Sequence, residues 1–254
     1  MFCRAFRIVT IQSLNSVFIL YYCIAHTYRT FVRNFYISTF CKIFCNLRDN
    51  HIGFIDLDMV NTYFRLTERG KMVEQKEIRL VSPNYACSGI ETLSLPAEVA
   101  SAFVLEWDTV VFDVGGDAAG AMSLGRYHTD FAALEEGQLE VYDIVNVFRP
   151  MSESPEKIVK LKEEMEGFAR LKVTGFVNNS NLLNFASADD IRQGCDVLRK
   201  TSDMTGIPVA HTTGRKCFLE EFLRDGRDPK YIGEPIGLET YMHRSWEAFT
   251  NLGL

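Results

Sequence analysis

The sequence predicts an α/β fold with a mostly parallel sheet in three layers, and three observations carry that prediction. From residue 51 onward, short apolar runs rich in β-branched residues alternate with longer stretches of helical periodicity. The runs stop at Gly, Pro or Asn/Asp clusters, as strands do when the chain leaves a sheet. The chain has 254 residues, 47% hydrophobic and 24% charged, enough to bury a sizeable core and too apolar for disorder. Strands separated by helices require crossovers, so the sheet should be covered on both faces.

Taken in order, His51 to Asp56, Ile78 to Ser82 and Thr109 to Val114 are strand candidates, the last stopped by Gly115-Gly116. Pro96 to Leu105 opens with Pro at a first helical position and predicts a helix. Glu140 to Phe148 reads as a strand closed by Arg149-Pro150. After Ser154, Pro155 opens a helix with Ile158, Leu161, Met165 and Phe168 on one face. Lys172 to Val177 predicts a strand, and Ser187-x-x-Asp190 starts a helix running to about Met204. Gly206-Ile207-Pro208 leads into a final short strand.

Composition excludes several functions. A net charge of −6 gives no basic surface over the whole chain for nucleic acid. Seven Cys, with only Cys41-x3-Cys45 closely spaced, indicate neither a disulfide framework nor a zinc site, and fit a reducing compartment. His26, His51, His128, His211 and His243 are scattered, and no G-x-S-x-G nucleophile motif is present.

In parallel sheets, ligands bind beyond the carboxyl ends of the strands. Three such positions carry unusual chemistry. Phe54-Ile-Asp-Leu-Asp58 holds two carboxylates, Asp56 and Asp58, that project the same way if the strand persists. Val110-Val-Phe-Asp-Val-Gly-Gly-Asp117 embeds Asp113 among apolar residues, which costs desolvation unless donors or a cation such as Mg²⁺ face it. Gly175-Phe-Val-Asn-Asn-Ser-Asn181 clusters amides where a strand gives out. Each also has a plain reading, as a turn or a hydrogen-bonded strand end. The glycines after Asp113 lack the G-x-G-x-x-G spacing of a dinucleotide loop.

Three segments together, Ile55 to Arg65, Val110 to Tyr127 and Leu171 to Leu183, resemble the bacterial ParA/MinD-like P-loop ATPases, the CobQ/CobB/MinD/ParA nucleotide-binding group. The resemblance runs from about residue 51 to about residue 247, with the motifs in the same order. It implies a P-loop NTPase-type fold that binds ATP with Mg²⁺ and hydrolyses it to drive a conformational or dimerisation switch. A homodimer, an unidentified protein partner and a cytoplasmic location go with it. It also implies roles: Asp56 and Asp58 near the γ-phosphate, placing Mg²⁺ and the attacking water; Asp113 holding Mg²⁺; Gly116 sensing the γ-phosphate; Asn179 reading the adenine edge. Phosphoryl transfer depends on positioning and charge neutralisation, which agrees with such a set.

The phosphate loop that such a family requires, G-x-x-x-x-G-K-[ST], is missing. The only Gly-Lys pair, Gly70-Lys71, is followed by Met72 and stands after the acidic-pair strand. Where the loop belongs lie 50 residues without Gly, Pro or Glu, with a formal charge of +5 against −11 for the remainder, four of the seven Cys and eleven Phe or Tyr. Three readings stand. Residues 8–24 could be a membrane anchor or signal, although only Val17 to Ile24 is uninterrupted and a crossing needs roughly 20 residues. The segment could be a divergent strand and helix. It could also be translated out of frame, the reading that the abrupt change of composition favours. That third reading predicts impaired ATP binding and a segment that forms no packed part of the fold, with Phe31, Phe35, Tyr36 and Phe40 partly exposed. A degenerate, nucleotide-independent interaction module is the competing function.

Overall fold

Eight strands form one all-parallel sheet in the computed structural model, which describes residues 16–23, 52–57, 78–81, 97–104, 107, 109–116, 118–182 and 185–238. They are β1 (Ser16–Cys23), β2 (Ile52–Asp56), β3 (Ile78–Val81), β4 (Thr109–Gly116), β5 (Leu139–Val145), β6 (Gly175–Asn178), β7 (Val209–Arg215) and β8 (Glu234–Leu238). Their order across the sheet is β3-β2-β4-β1-β5-β6-β7-β8. The chain therefore begins the sheet near its middle and builds outward to both edges.

The position of β1 corrects one expectation. Ser16–Cys23 pairs along its length with β4 and also with β5, so part of the first 50 residues is a central strand of the sheet. The physical reason lies in Ser-Val-Phe-Ile-Leu-Tyr-Tyr-Cys. Eight residues rich in β-branched and aromatic side chains have the length and composition of an interior strand. Phe31, Phe35, Tyr36 and Phe40, expected to be partly exposed, lie outside the described residues. No described helix is long and apolar enough to cross a membrane.

Among the described residues the helices are α1 (Ala118–Gly125), α2 (His128–Ala132), α3 (Pro155–Ala169), α4 (Ala188–Thr205) and α5 (Lys216–Leu223), with 3-10 helices over Pro229–Tyr231 and Ala97–Phe103. That last element replaces the helix expected over Pro96 to Leu105. Its buried residues, Val99 and Ala102, recur at a spacing of three, which suits the tighter winding. Ser154 caps α3 by accepting from the Lys157 amide, and Ser187 with Asp190 forms a capping box at the head of α4, both as the sequence predicts. Gly206 ends α4 in the left-handed conformation, at φ 74°.

Side chains alternate across the sheet. Val110, Phe112, Val114, Val141, Val145 and Phe176 share one face and pack under α1, α3 and α4, with Phe103, Phe112, Tyr127 and Phe131 in ring contact. All eight positions of β4 are buried, as a strand covered on both faces requires. Phe112 is fully buried, so its truncation to Ala should cost about 3–5 kcal/mol.

The inward face of α3 also differs from the expected apolar stripe. Ile158 and Met165 are buried, but Phe168 is 45% exposed, and Lys162 and Glu166 are buried instead. Lys162 Nζ lies 3.2 Å from Glu166 Oε2, and Glu166 accepts from Lys172 Nζ at 2.8 Å and from the Val173 amide at 3.0 Å. Burial alone would raise the Glu166 carboxyl, but Lys172, the Val173 amide and Lys162 outweigh it and hold it below the usual range. Beneath them Asp143 of β5 is buried. Desolvation pushes its carboxyl up to about 7, with Lys162 opposing and Glu166 adding to the rise.

Candidate functional site

Asp56 is the last residue of β2, and Asp113 is its register partner on β4. Partners on adjacent parallel strands face the same way about 5 Å apart, so the two carboxylates stand side by side on the face opposite Phe112. Both are buried, at 1% and 4% exposure. The Leu57 amide donates to the Asp113 carbonyl at 2.8 Å and carries the pairing one residue beyond β2. Each carboxylate has further interactions, so the pair is built into the sheet rather than left loose. Asp58, expected beside them, lies outside the described residues, as do Asp117 and Gly70-Lys71.

Gly116 is the last residue of β4 and is buried, two strands' width from β5 across β1. The turn from β4 into α1 is tight. A Cβ on Gly120 would lie inside van der Waals contact of the Gly115 carbonyl, so only glycine lets α1 begin against the strand end.

On the other side of β1, the strand ends are stitched together by amides. The Asn179 amide N–H donates to the Val145 carbonyl at 2.8 Å, Asn146 Nδ2 to the Asn181 carbonyl at 3.1 Å and Asn181 Nδ2 to the Asn179 carbonyl at 2.8 Å. Asn178 Nδ2 donates to the Ile191 carbonyl of α4 at 3.1 Å while its Oδ1 accepts from the Ser180 amide at 3.2 Å. Gly194 of α4 packs on this loop so closely that a Cβ there would overlap Asn178 Oδ1 and Ser180 Oγ. Asn179 faces the opposite way from Asn178. Thr213 Oγ1 donates to Asn179 Oδ1 at 2.7 Å, and Asn179 Nδ2 is buried with no hydrogen-bond partner.

Sequence reasoning missed Gly194, Thr213 and Arg215. Only a Thr-Thr-Gly-Arg run at a strand end hinted at the last two, and Gly194 gives no signal in a helix of otherwise ordinary composition. It also missed the apolar surface on the loop between β6 and α4, where Leu182 is 45% and Phe185 85% exposed. Among the described histidines, His128 Nδ1 is 3.2 Å from the Gly125 carbonyl and His211 packs edge-on against Tyr142, so neither is placed for ligation. Burial lowers the His211 imidazole.

The carboxylates offer hard oxygen donors of the kind Mg²⁺ takes, one or two from protein with the rest from phosphate and water. Among the described residues no cluster of three or more His, Cys, Asp or Glu side chains could hold a metal by itself. A cavity of about 260 Å³ between α4 and the loop before β8, lined by Cys195, Asp196, Arg199, Arg227, Asp228 and Tyr231, includes none of the candidate residues. Its Arg227 is already paired with Asp196 at 2.5 Å.

No family model and no curated protein matches the chain. Among solved structures, that of FlhF complexed with GMPPNP/Mg(2+) matches 66% of this chain at 12% identity with a TM-score of 0.34. This chain spans only 56% of the FlhF chain, and an overlap that loose carries no argument about function. The all-parallel α/β sheet, with its polar residues gathered at the strand ends, is the architecture that the sequence predicts.

Proposed function

We propose that the carboxyl edge of this sheet is a site for a nucleoside triphosphate and Mg²⁺ in a protein of P-loop NTPase type. The observation that carries the reading is the register pairing of Asp56 with Asp113, two buried carboxylates side by side on one face. Two carboxylates so placed offer hard oxygen donors, and a divalent ion bridged to phosphate is a ligand they would take beside the interactions each already makes. Asp113 and Asp58 would hold Mg²⁺, Asp56 and Asp58 would orient water toward the γ-phosphate, Gly116 would approach that phosphate through its backbone, and Asn179 would meet the base. The bound ion would supply charge neutralisation for phosphoryl transfer.

ATP as the nucleotide, hydrolysis coupled to a conformational or dimerisation switch, and a cytoplasmic location all come from the ParA/MinD-like resemblance and belong to the same proposal. The missing phosphate loop limits it. Without the loop amides and lysine, charge-assisted hydrogen bonds of roughly 1.5–3 kcal/mol each are lost, so two alone weaken affinity by a hundredfold or more.

Calorimetric titration of the full chain with Mg·ATP and Mg·GTP tests this. Binding in the range of hundreds of micromolar, dependent on Mg²⁺, is the expected result, and micromolar affinity would show that another phosphate cradle exists. No binding at millimolar nucleotide would leave the second reading, a nucleotide-independent interaction module. That alternative is favoured by one specific observation, a first 50 residues with no glycine.

A further inference from the structure

We propose that protonation of His211 loosens the edge strand β8 from β7, so that one border of the sheet responds to pH. The inference is independent of the nucleotide-site reading. It concerns the β7–β8 border, which β1, β5 and β6 separate from β4 and Asp113.

Little holds β8 in place. Among the described strands it pairs with β7 alone, His211–Arg215 against Glu234–Leu238. Leu238 is its one buried residue, whereas Glu234 and Pro235 are exposed and Pro235 brings no amide to the ladder. A short edge strand with so little apolar anchoring opens before the interior of a sheet does.

The first register pair of this ladder is His211 with Glu234. The imidazole side chain is 13% exposed and packs edge-on against the Tyr142 ring, with centroids 5.3 Å apart. Tyr142 stands on β5 and reaches toward β7 because its register partner on β6 is Gly175. A Cβ on Gly175 would come within 3.1 Å of the Tyr142 ring and 3.0 Å of Ala210 Cβ. The Tyr142 hydroxyl in turn donates to Glu140. His211 Nδ1 is buried with no hydrogen-bond partner, and Glu234 Oε2, at 3.7 Å, is beyond bonding distance. Protonation makes both ring nitrogens donors, so the buried Nδ1 would carry its proton with no acceptor in reach.

Among the described residues the titratable groups that face the ring are Glu234 of β8 and Glu140 and Tyr142 of β5; its β6 register partner is the uncharged Val177. Burial lowers the imidazole, and Glu234 and Glu140 oppose it without prevailing, Glu234 being 76% exposed and screened by water. A free imidazole titrates at about 6.5 and the packed one below that, so the released strand binds the proton more tightly. Pairing is therefore at full strength above about pH 7 and weakens as pH falls through about 6.5. Release of β8 leaves β7 as the border of the sheet, with backbone groups open to another strand.

Hydrogen exchange of the full chain at pH 7.5 and pH 5.5, corrected for the pH dependence of the chemical rate and read by mass spectrometry over residues 232–238, tests this. A local reading is needed because Asp143 takes up its proton over the same range and acts on global stability in the opposite direction. Protection of β8 should fall severalfold at pH 5.5, at most about tenfold for one proton with a free pKa of about 6.5, while that of Gly175–Asn178 stays unchanged. His211→Gln should abolish the fall. Glu234→Gln, which removes an opposing carboxylate, should deepen it, and because Glu234 is exposed this variant keeps the test in force if His211→Gln does not fold. Protection of β8 that is equal at both pH values or higher at pH 5.5, a fall retained in His211→Gln, or a smaller fall in Glu234→Gln overturns the inference.

Discussion

Asp113 and Asp143 are both aspartates set inside apolar parallel strands, on opposite faces of one sheet, and the molecule treats them differently. Asp143 shares its face with Val114 through the common β1 partner Tyr21, and lies under α3, where Lys162 and Glu166 surround it. Its charge is handled by a helix that carries its own lysine inward. Asp113 lies on the other face beside Asp56, so there the sheet places carboxylate next to carboxylate. The first carboxylate meets a lysine of the covering helix; the second meets another carboxylate at the carboxyl edge of the sheet, beside the interactions each of that pair already makes. A hydrophobic run followed by Asp is thus a poor signal by itself, and the neighbour across the register decides what the carboxylate is for.

The largest expected effect tests the compensated side. Lys162→Met removes a buried cation and leaves Asp143 and Glu166 facing each other, and should destabilise the fold by about 3–5 kcal/mol in urea unfolding. A loss below about 1 kcal/mol would mean that the α3 cluster is not held by charge and that the contrast with Asp113 is spurious.

Gly194→Ala comes next and probes the amide loop from behind. The added methyl overlaps Asn178 and Ser180, so the loop or α4 must shift, at a cost of about 1–3 kcal/mol. Purine monophosphate binding should weaken with it if Asn179 reads the base. Unchanged stability would show that the loop yields freely.

A pH profile sharpens the comparison further. Burial raises the Asp143 carboxyl to about 7, so the folded state binds its proton more tightly than the unfolded chain. Its contribution is therefore unfavourable, growing as pH rises from about 4 to about 7 and constant above that. Asp143→Asn should stabilise the protein above pH 7, by an amount on the order of 1–4 kcal/mol, and have little effect near pH 4. Chemical unfolding at pH 4.5 and pH 8 measures the difference, and a variant equally stable relative to wild type at both would refute it. The smallest effect is Ser154→Ala, which uncaps the helix carrying Lys162 and should cost about 1 kcal/mol in the same measurement.

Much of the sheet was legible because its strands obey a simple pattern. Ile52–Asp56, Ile78–Val81 and Val209–Arg215 fall where β-branched runs and their Gly or Pro boundaries put them, and both long helices begin at their capping residues. The strand after Glu140 ends early, at Val145, because Asn146 Oδ1 accepts from the Phe148 amide and turns the chain, a local bond that apolar periodicity does not reveal. β1 was obscured by its surroundings: an apolar run amid Gly-free, basic sequence resembles a broken membrane segment until its two partner strands are seen. β8, Glu-Pro-Ile-Gly-Leu, carries Pro and Gly inside it and is placed by pairing with β7. At the candidate site, Asp56, Asp113 and Asn179 were visible as chemistry at strand ends. Their common face was not, since it depends on register between strands more than fifty residues apart in sequence. Neither was the lock of Thr213 on Asn179, which joins β7 to β6.

The central proposal, that Asp113 faces a bound cation whereas Asp143 faces only the helix that covers it, is tested most directly by titrating Mg²⁺ into the full chain in saturating nucleoside triphosphate, with wild type, Asp113→Asn and Asp143→Asn compared by calorimetry. The account predicts Mg²⁺-coupled binding in wild type and in Asp143→Asn, and its loss in Asp113→Asn, a difference of at least about tenfold in apparent affinity. Equal Mg²⁺ affinity in the wild type and Asp113→Asn, or loss in Asp143→Asn instead, would contradict it.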